Sequence, residues 1–184
     1  MVPRSPRRVI PRERLVARIH SGIGAGLTVL HAPAGFGKTT LASLIAADLE
    51  YETRWLTLDP SSGAPEVLAH QLGAALSGDA EAGPPATALK MSDLQAYLHA
   101  ALLAAADASE VPVMLVIDNV HELGDSLEAC ALIAWLIDVL PESFEILLSG
   151  RELPFIPSIN SRVATGDVVV LEANDLAFDV TEVA

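Results

Sequence analysis

One cysteine, Cys130, in 184 residues leaves no partner for an internal disulfide and suits a reducing cytosol. Long apolar runs are missing too. The longest, Leu127 to Leu140, is interrupted by Glu128 and Asp138 and is too short to span a bilayer. The arginines near the N-terminus precede no apolar core, because Val9-Ile10 is broken at once by Pro11-Arg12-Glu13, which argues against a secretory signal. These absences predict a soluble, cytoplasmic domain with no membrane partner. Basic residues are scarce: 11 Lys and Arg stand against 24 Asp and Glu, a net charge of −13. That balance argues against direct nucleic-acid binding by this domain. The scarcity is uneven, since Arg4, Arg7, Arg8, Arg12, Arg14 and Arg18 all lie in the first eighteen positions. Residues 19–184 therefore hold five basic and 23 acidic groups, a balance of −18.

What is present is an apolar chain of globular type. Hydrophobic residues make up 51% of it, which excludes a disordered protein, and its length predicts one domain burying roughly 70% of its unfolded surface. Residues 1–20 read as a basic lead-in, extended and rich in proline and arginine up to Pro11, then a short helix over Arg12 to His20. Residues 21–184 read as the domain proper. Its strand candidates are Leu27 to His31, Thr53 to Leu58, Val113 to Ile117, Ile146 to Leu148 and Val168 to Leu171. Helical spacing predicts helices over Lys38 to Leu49, Pro65 to Leu76, Ser92 to Ala106 with Ser92 as N-cap, and Asp125 to Leu140. Ser77 to Pro85, rich in Gly, Pro and small residues, reads as a mobile surface loop or an insertion. Strands alternating with helices imply an α/β fold with a parallel five-stranded sheet between helical layers.

The decisive feature is Ala32-Pro33-Ala34-Gly35-Phe36-Gly37-Lys38-Thr39, placed between the first strand and a helix. It is the phosphate-binding loop of P-loop NTPases with Ala in place of the first Gly. Gly35 and Gly37 let the backbone turn its N–H groups inward around a phosphate, and the helix N-terminus adds positive potential. Lys38 suits the β- and γ-phosphates, the Thr39 hydroxyl suits Mg2+, and Thr40 could contact the α-phosphate. Pro33, Ala34, Gly35, Phe36, Gly37, Lys38, Thr39 and Thr40 are thus the expected contacts for ATP or ADP. A Gly-rich turn before an ordinary helix is the alternative.

A second carboxylate must support the metal, and Asp118 fits as the first polar residue after an apolar run. Many hydrolysing relatives place another carboxylate directly afterwards to deprotonate the attacking water. Here that position is Asn119, which can orient a water but cannot take its proton. Glu122 could substitute only if its loop turned it inward. The expectation is strong binding with slow, Mg-dependent hydrolysis: a weak ATPase acting as a switch.

Taken in order, HAPAGFGKTTL, WLTLD (Trp55 to Asp59), IDNVHEL (Ile117 to Leu123), LLSGRELP (Leu147 to Pro154) and LEANDLAF (Leu171 to Phe178) resemble a known family. So does Val9-Ile10-Pro11-Arg12. The family is the nucleotide-binding (NB-ARC/NACHT-like) domain of STAND ATPases, and the branch is that of maltose-activator-like, LuxR-type large transcriptional regulators. The resemblance covers nearly the whole chain. It implies a three-layer sandwich with sheet order 5-1-4-3-2, and it gives Arg151 the role of sensing the γ-phosphate beside Lys38 and Asp118. A surface arginine paired with Glu152 or Asp118 is the other reading of Arg151. The resemblance also places Val9 to Arg12 against adenine. It implies an ADP-bound resting monomer, ATP-favoured self-association, and a winged-helix, sensor and DNA-binding region beyond Ala184, with Phe178 to Ala184 starting a further helix. The family usually reads Asp-Asp where this chain reads Asp118-Asn119.

Rival readings are a P-loop phosphotransferase or kinase and a degenerate P-loop interaction domain without turnover. The first needs a lid of several arginines, which Arg54, Arg151 and Arg162 alone do not form. Against the second stand the intact Gly37-Lys38-Thr39 and Asp118. His20, His31, His70, His99 and His121 show no metal-ligand spacing, although His121 could approach the nucleotide. Trp55, Trp135 and Cys130 read as core.

Overall fold

The structure, a computed structural model, describes residues 12–21, 26–48, 50–85 and 90–178. The expectations for Met1 to Pro11 and for the residues beyond Phe178 fall outside these segments. Five aliphatic runs form parallel strands: β1 (Leu27–His31), β2 (Glu52–Thr57), β3 (Val113–Asp118), β4 (Phe144–Gly150) and β5 (Val169–Glu172). They are ordered β2-β3-β4-β1-β5, which is the expected 5-1-4-3-2 read from the opposite edge. Every residue of β3 and β4 is buried, as a central parallel strand covered on both faces requires.

The helices are α1 (Glu13–Ser21), α2 (Lys38–Asp48), α3 (Pro65–Ser77), α4 (Met91–Ala108), α5 (Leu127–Asp138), α6 (Pro157–Thr165) and the single turn α7 (Ala173–Leu176). Alternation along each strand sorts them into two layers. On one face Leu115, Ile117 and Leu148 pack with Leu72 of α3, Leu98 of α4 and Leu132 of α5. On the other, Val116, Leu147 and Leu30 pack with Leu15 and Ile19 of α1 and Leu41 and Ile45 of α2. Each fully buried leucine or isoleucine contributes about 1.5–3 kcal/mol. A one-residue slip of a strand would invert its assignment to these layers.

Several expected boundaries shift. Ser92 is not an N-cap: α4 begins at Met91, and Lys90 takes the cap position without a side-chain bond. The Asp125 start of α5 moves to Leu127, because the Ser126 hydroxyl accepts the Ala129 N–H at 3.2 Å and fixes the first turn there. Ser77 closes α3 with Gly78 in the left-handed cap conformation. The following stretch up to Pro85 carries no helix or strand, as a surface loop requires; within it Asp79 Oδ1 accepts the Glu81 N–H, and the imidazole of His70 packs against Gly83. Helix α6 was not expected at all.

The described part of the lead-in, from Arg12 on, is tied to residues 170–178. Arg12 is buried, donates to the Leu176 carbonyl at 2.7 Å, and lies 4.4 Å over the Phe178 ring. Arg14 donates to the Asp175 carbonyl, while Arg18 pairs with the Asp175 carboxylate and reaches the Val170 carbonyl on edge strand β5.

Candidate functional site

Between β1 and α2 the chain must reverse in six residues, and two glycines make that possible. Gly35 and Gly37 have φ of +88° and +76°, and outside their adjacent residues no heavy atom lies within 4 Å of where a Cβ would stand on either. Conformation rather than space therefore reserves these positions for glycine. The first bond of α2 runs from the Leu41 N–H to the Gly37 carbonyl, so the preceding amides of the first turn have no partner inside the helix.

The side chains that follow close one rim. Lys38 Nζ donates to the carbonyls of Ala32 at 2.6 Å and Pro33 at 2.9 Å, which folds the lysine over the loop. Burial pushes its pKa below the ordinary lysine value; the Asp118 carboxylate acts in the opposite direction, and the Arg151 guanidinium adds to the lowering. Thr39 Oγ1 donates to Asp118 Oδ2 at 2.8 Å. The other carboxylate oxygen of Asp118 accepts the Asn119 N–H at 2.9 Å. Asp118 is 4% exposed, so this carboxylate is held by two hydrogen bonds with little access for water.

These groups surround an open cavity of about 400 Å³. The loop and α2 supply Ala34, Gly35, Gly37, Lys38, Thr39 and Thr40 to its wall. From the ends of β3 and β4 come Asp118, Asn119 and Arg151. Strands β3, β4 and β1 are adjacent, so residues from three distant parts of the sequence converge at the carboxyl end of the sheet. Pro33 and Phe36 lie outside the lining: Pro33 offers its carbonyl to Lys38, and Phe36 turns toward the apolar cluster of α1 and α2.

Asn119 has φ +63°, the one non-glycine residue with positive φ among those described. Asn and Asp tolerate this left-handed conformation better than other residues with a side chain. Glu122 is half-buried and pairs with His121 Nε2 at 3.5 Å. Neither His121 nor Glu122 lines the cavity, so the loop-histidine reading of His121 fits better than an approach to the nucleotide. Cys130 is buried, and that burial pushes its thiol pKa up, away from a reactive thiolate. Trp55 is buried as expected, and Trp135 is half-buried against the core.

Two residues at this end of the sheet escaped the sequence reading. Ser149 is fully buried, pairs in register with Asp118, and its hydroxyl has no partner among the described residues. In-register neighbours of a parallel sheet share a face, so the hydroxyl lies on the face of α2 beside Asp118. Gly150 is bounded by space: a Cβ there would stand 2.7 Å from Val120 Cγ2 and 2.9 Å from the Glu152 carbonyl. A short apolar run, Ile146 to Leu148, ending in Ser-Gly-Arg was the only signal for either.

Comparison with known proteins agrees with this geometry. Residues 22–154 match the family described as AAA domain. The chain is 30% identical over 174 residues to the HTH-type transcriptional regulator MalT of Cronobacter sakazakii, covering 92% of this chain. It spans 19% of that regulator's length. Among solved structures, the Aeropyrum pernix ORC1 protein in complex with DNA aligns over 90% of this chain and 46% of its own, with a TM-score of 0.60 and 17% identity. A Walker-type ATPase of Pyrococcus abyssi aligns over 99% of this chain and 58% of its own, with a TM-score of 0.57 and 16% identity. At such identities the two structures speak for the fold alone. Strand order, loop geometry and the match over most of the chain converge: the chain belongs to the AAA domain family of P-loop proteins.

Proposed function

We propose that this chain is the ATP/ADP-binding switch domain of a STAND-type cytoplasmic signalling or transcriptional regulator. The observation that carries the reading is the Thr39–Asp118 hydrogen bond at the rim of a cavity floored by left-handed glycines. An α2 hydroxyl and a β3 carboxylate joined in this way form the oxygen-donor set that Mg2+ selects. Relatedness to an HTH-type transcriptional regulator supports the regulatory context.

In this reading the amides of Ala34 to Lys38 cradle the β-phosphate, Thr40 approaches the α-phosphate, and Lys38 leaves its carbonyl partners to neutralise the β- and γ-phosphates. Thr39 and Asp118 would hold Mg2+, which would supply neutralisation of the phosphate charge. Arg151 reads the γ-phosphate from the end of β4. Asn119 holds a water without accepting its proton, so hydrolysis is slow and the ATP state persists long enough to act as a signal. ATP-favoured self-association is the expected response of such a switch.

A thermal-shift titration tests the reading. Saturating Mg-ADP and Mg-ATP each raise the melting temperature by several degrees, as any ligand bound only by the folded state must. No shift with either nucleotide, in a protein whose melting is cooperative, would remove the proposal.

A further inference from the structure

A second cavity, of about 400 Å³, opens on the loops that leave β3 and β4. Its wall holds Leu127 and Phe155, whose relative exposures of 77% and 68% are the two highest among the exposed large apolar residues described. Polar groups ring them. Asp125 and Glu152 line the same cavity, and Glu128 follows Leu127 on the exposed side of α5. The cation nearest in sequence, Arg151, faces the phosphate-loop cavity instead. His121 lines this second cavity as well, and its Nδ1 is buried without a hydrogen-bond partner. An exposed apolar pair with an acidic rim is the anatomy of a recognition surface.

We propose that this surface docks a polypeptide segment that presents a large apolar side chain flanked by lysine or arginine. Charge selects the occupant. The acidic rim repels the body of a second copy, because residues 19–184 carry a balance of −18. A basic segment gains from Asp125, Glu152 and Glu128 while its apolar side chain covers Leu127 and Phe155. The surface does not depend on the nucleotide reading, but its position gives it access to that site. Asn119 and Arg151, on the wall of one cavity, are two residues and one residue from His121 and Glu152 on the wall of the other.

Fluorescence anisotropy with the 184-residue chain tests the proposal. The probe is a labelled hexapeptide, Lys-Arg-Leu-Phe-Arg-Lys, compared with versions carrying serine at the apolar positions or glutamate at the basic ones. The basic apolar peptide binds saturably, and each control binds at least about tenfold more weakly. The double variants Leu127→Ser/Phe155→Ser and Asp125→Lys/Glu152→Lys each weaken binding about tenfold or more while melting as the parent does. Equal affinity for the serine peptide, unchanged binding by both double variants, or no binding of any probe overturns the proposal. So does sedimentation showing a dimer that Leu127→Ser/Phe155→Ser dissolves, since that would make the face a contact between copies. Nucleotide-free protein is used throughout, so failure here is separate from failure at the phosphate loop.

Discussion

Thr39 at the start of α2 and Asp118 at the end of β3 are 79 positions apart and share a hydrogen bond of 2.8 Å. In the proposed reading Thr39 would ligate Mg2+ and Asp118 would support it, and the bond shows the two side chains already side by side. Asp118→Ala therefore removes the metal's support and leaves the phosphate loop intact. Calorimetry should show Mg2+ no longer tightening ATP binding, a loss of about tenfold or more. Affinity in EDTA should be unchanged.

Asn119 occupies the position where a proton acceptor is expected, in a conformation that an aspartate tolerates equally well. Asn119→Asp should raise single-turnover hydrolysis by about 100-fold, within the range a positioned general base supplies. Asn119→Ala should not. It should cost about 1 kcal/mol of stability for a left-handed residue without a polar side chain. Denaturant unfolding beside the turnover assay checks both.

Gly150 separates the loops that follow β3 and β4. Adding one methyl drives it into Val120 Cγ2 at 2.7 Å and the Glu152 carbonyl at 2.9 Å, one a side chain and the other backbone. Gly150→Ala should cost about 1–3 kcal/mol in equilibrium unfolding, the ordinary penalty of overpacking.

These residues show why the sequence was legible in some places and not in others. The phosphate loop declares itself because its chemistry is local: the glycines, lysine and threonine act within eight positions of one another. Asp118 stood out as the first polar residue after an apolar run, and the structure places it on the wall of the phosphate-loop cavity. Sheet order followed only from the resemblance, and it agrees. What could not be read was long-range. Nothing near Arg12 reveals that its partners are Leu176 and Phe178, and nothing near Gly150 names Val120. Ser92 looked like a cap by residue type, but α4 extends one residue beyond it. Helix α6 is short and mostly polar, with Ile159 its one buried aliphatic residue; Pro157 starts it and the left-handed Gly166 ends it.

The contact between lead-in and carboxyl end should be visible in acid. The Glu172 N–H and then the Arg18 guanidinium hold the Asp175 carboxyl below the usual carboxylate range. A carboxylate whose folded pKa is depressed stabilises the fold above its unfolded pKa. That contribution is lost as pH falls through the folded value. Asp175→Asn should therefore melt below the parent at neutral pH, and the gap should close as pH drops below the ordinary aspartate range. A gap that stays constant across that window would contradict the assignment.

The central claim is that the loop from Ala32 to Thr39 holds a nucleotide. Isothermal calorimetry of Mg-ADP against the parent chain and Lys38→Ala tests it most directly, with circular dichroism confirming that both are folded. The account predicts one site per chain in the parent and no measurable heat in Lys38→Ala. Equal affinity in the two proteins, or no binding to the folded parent, would contradict it.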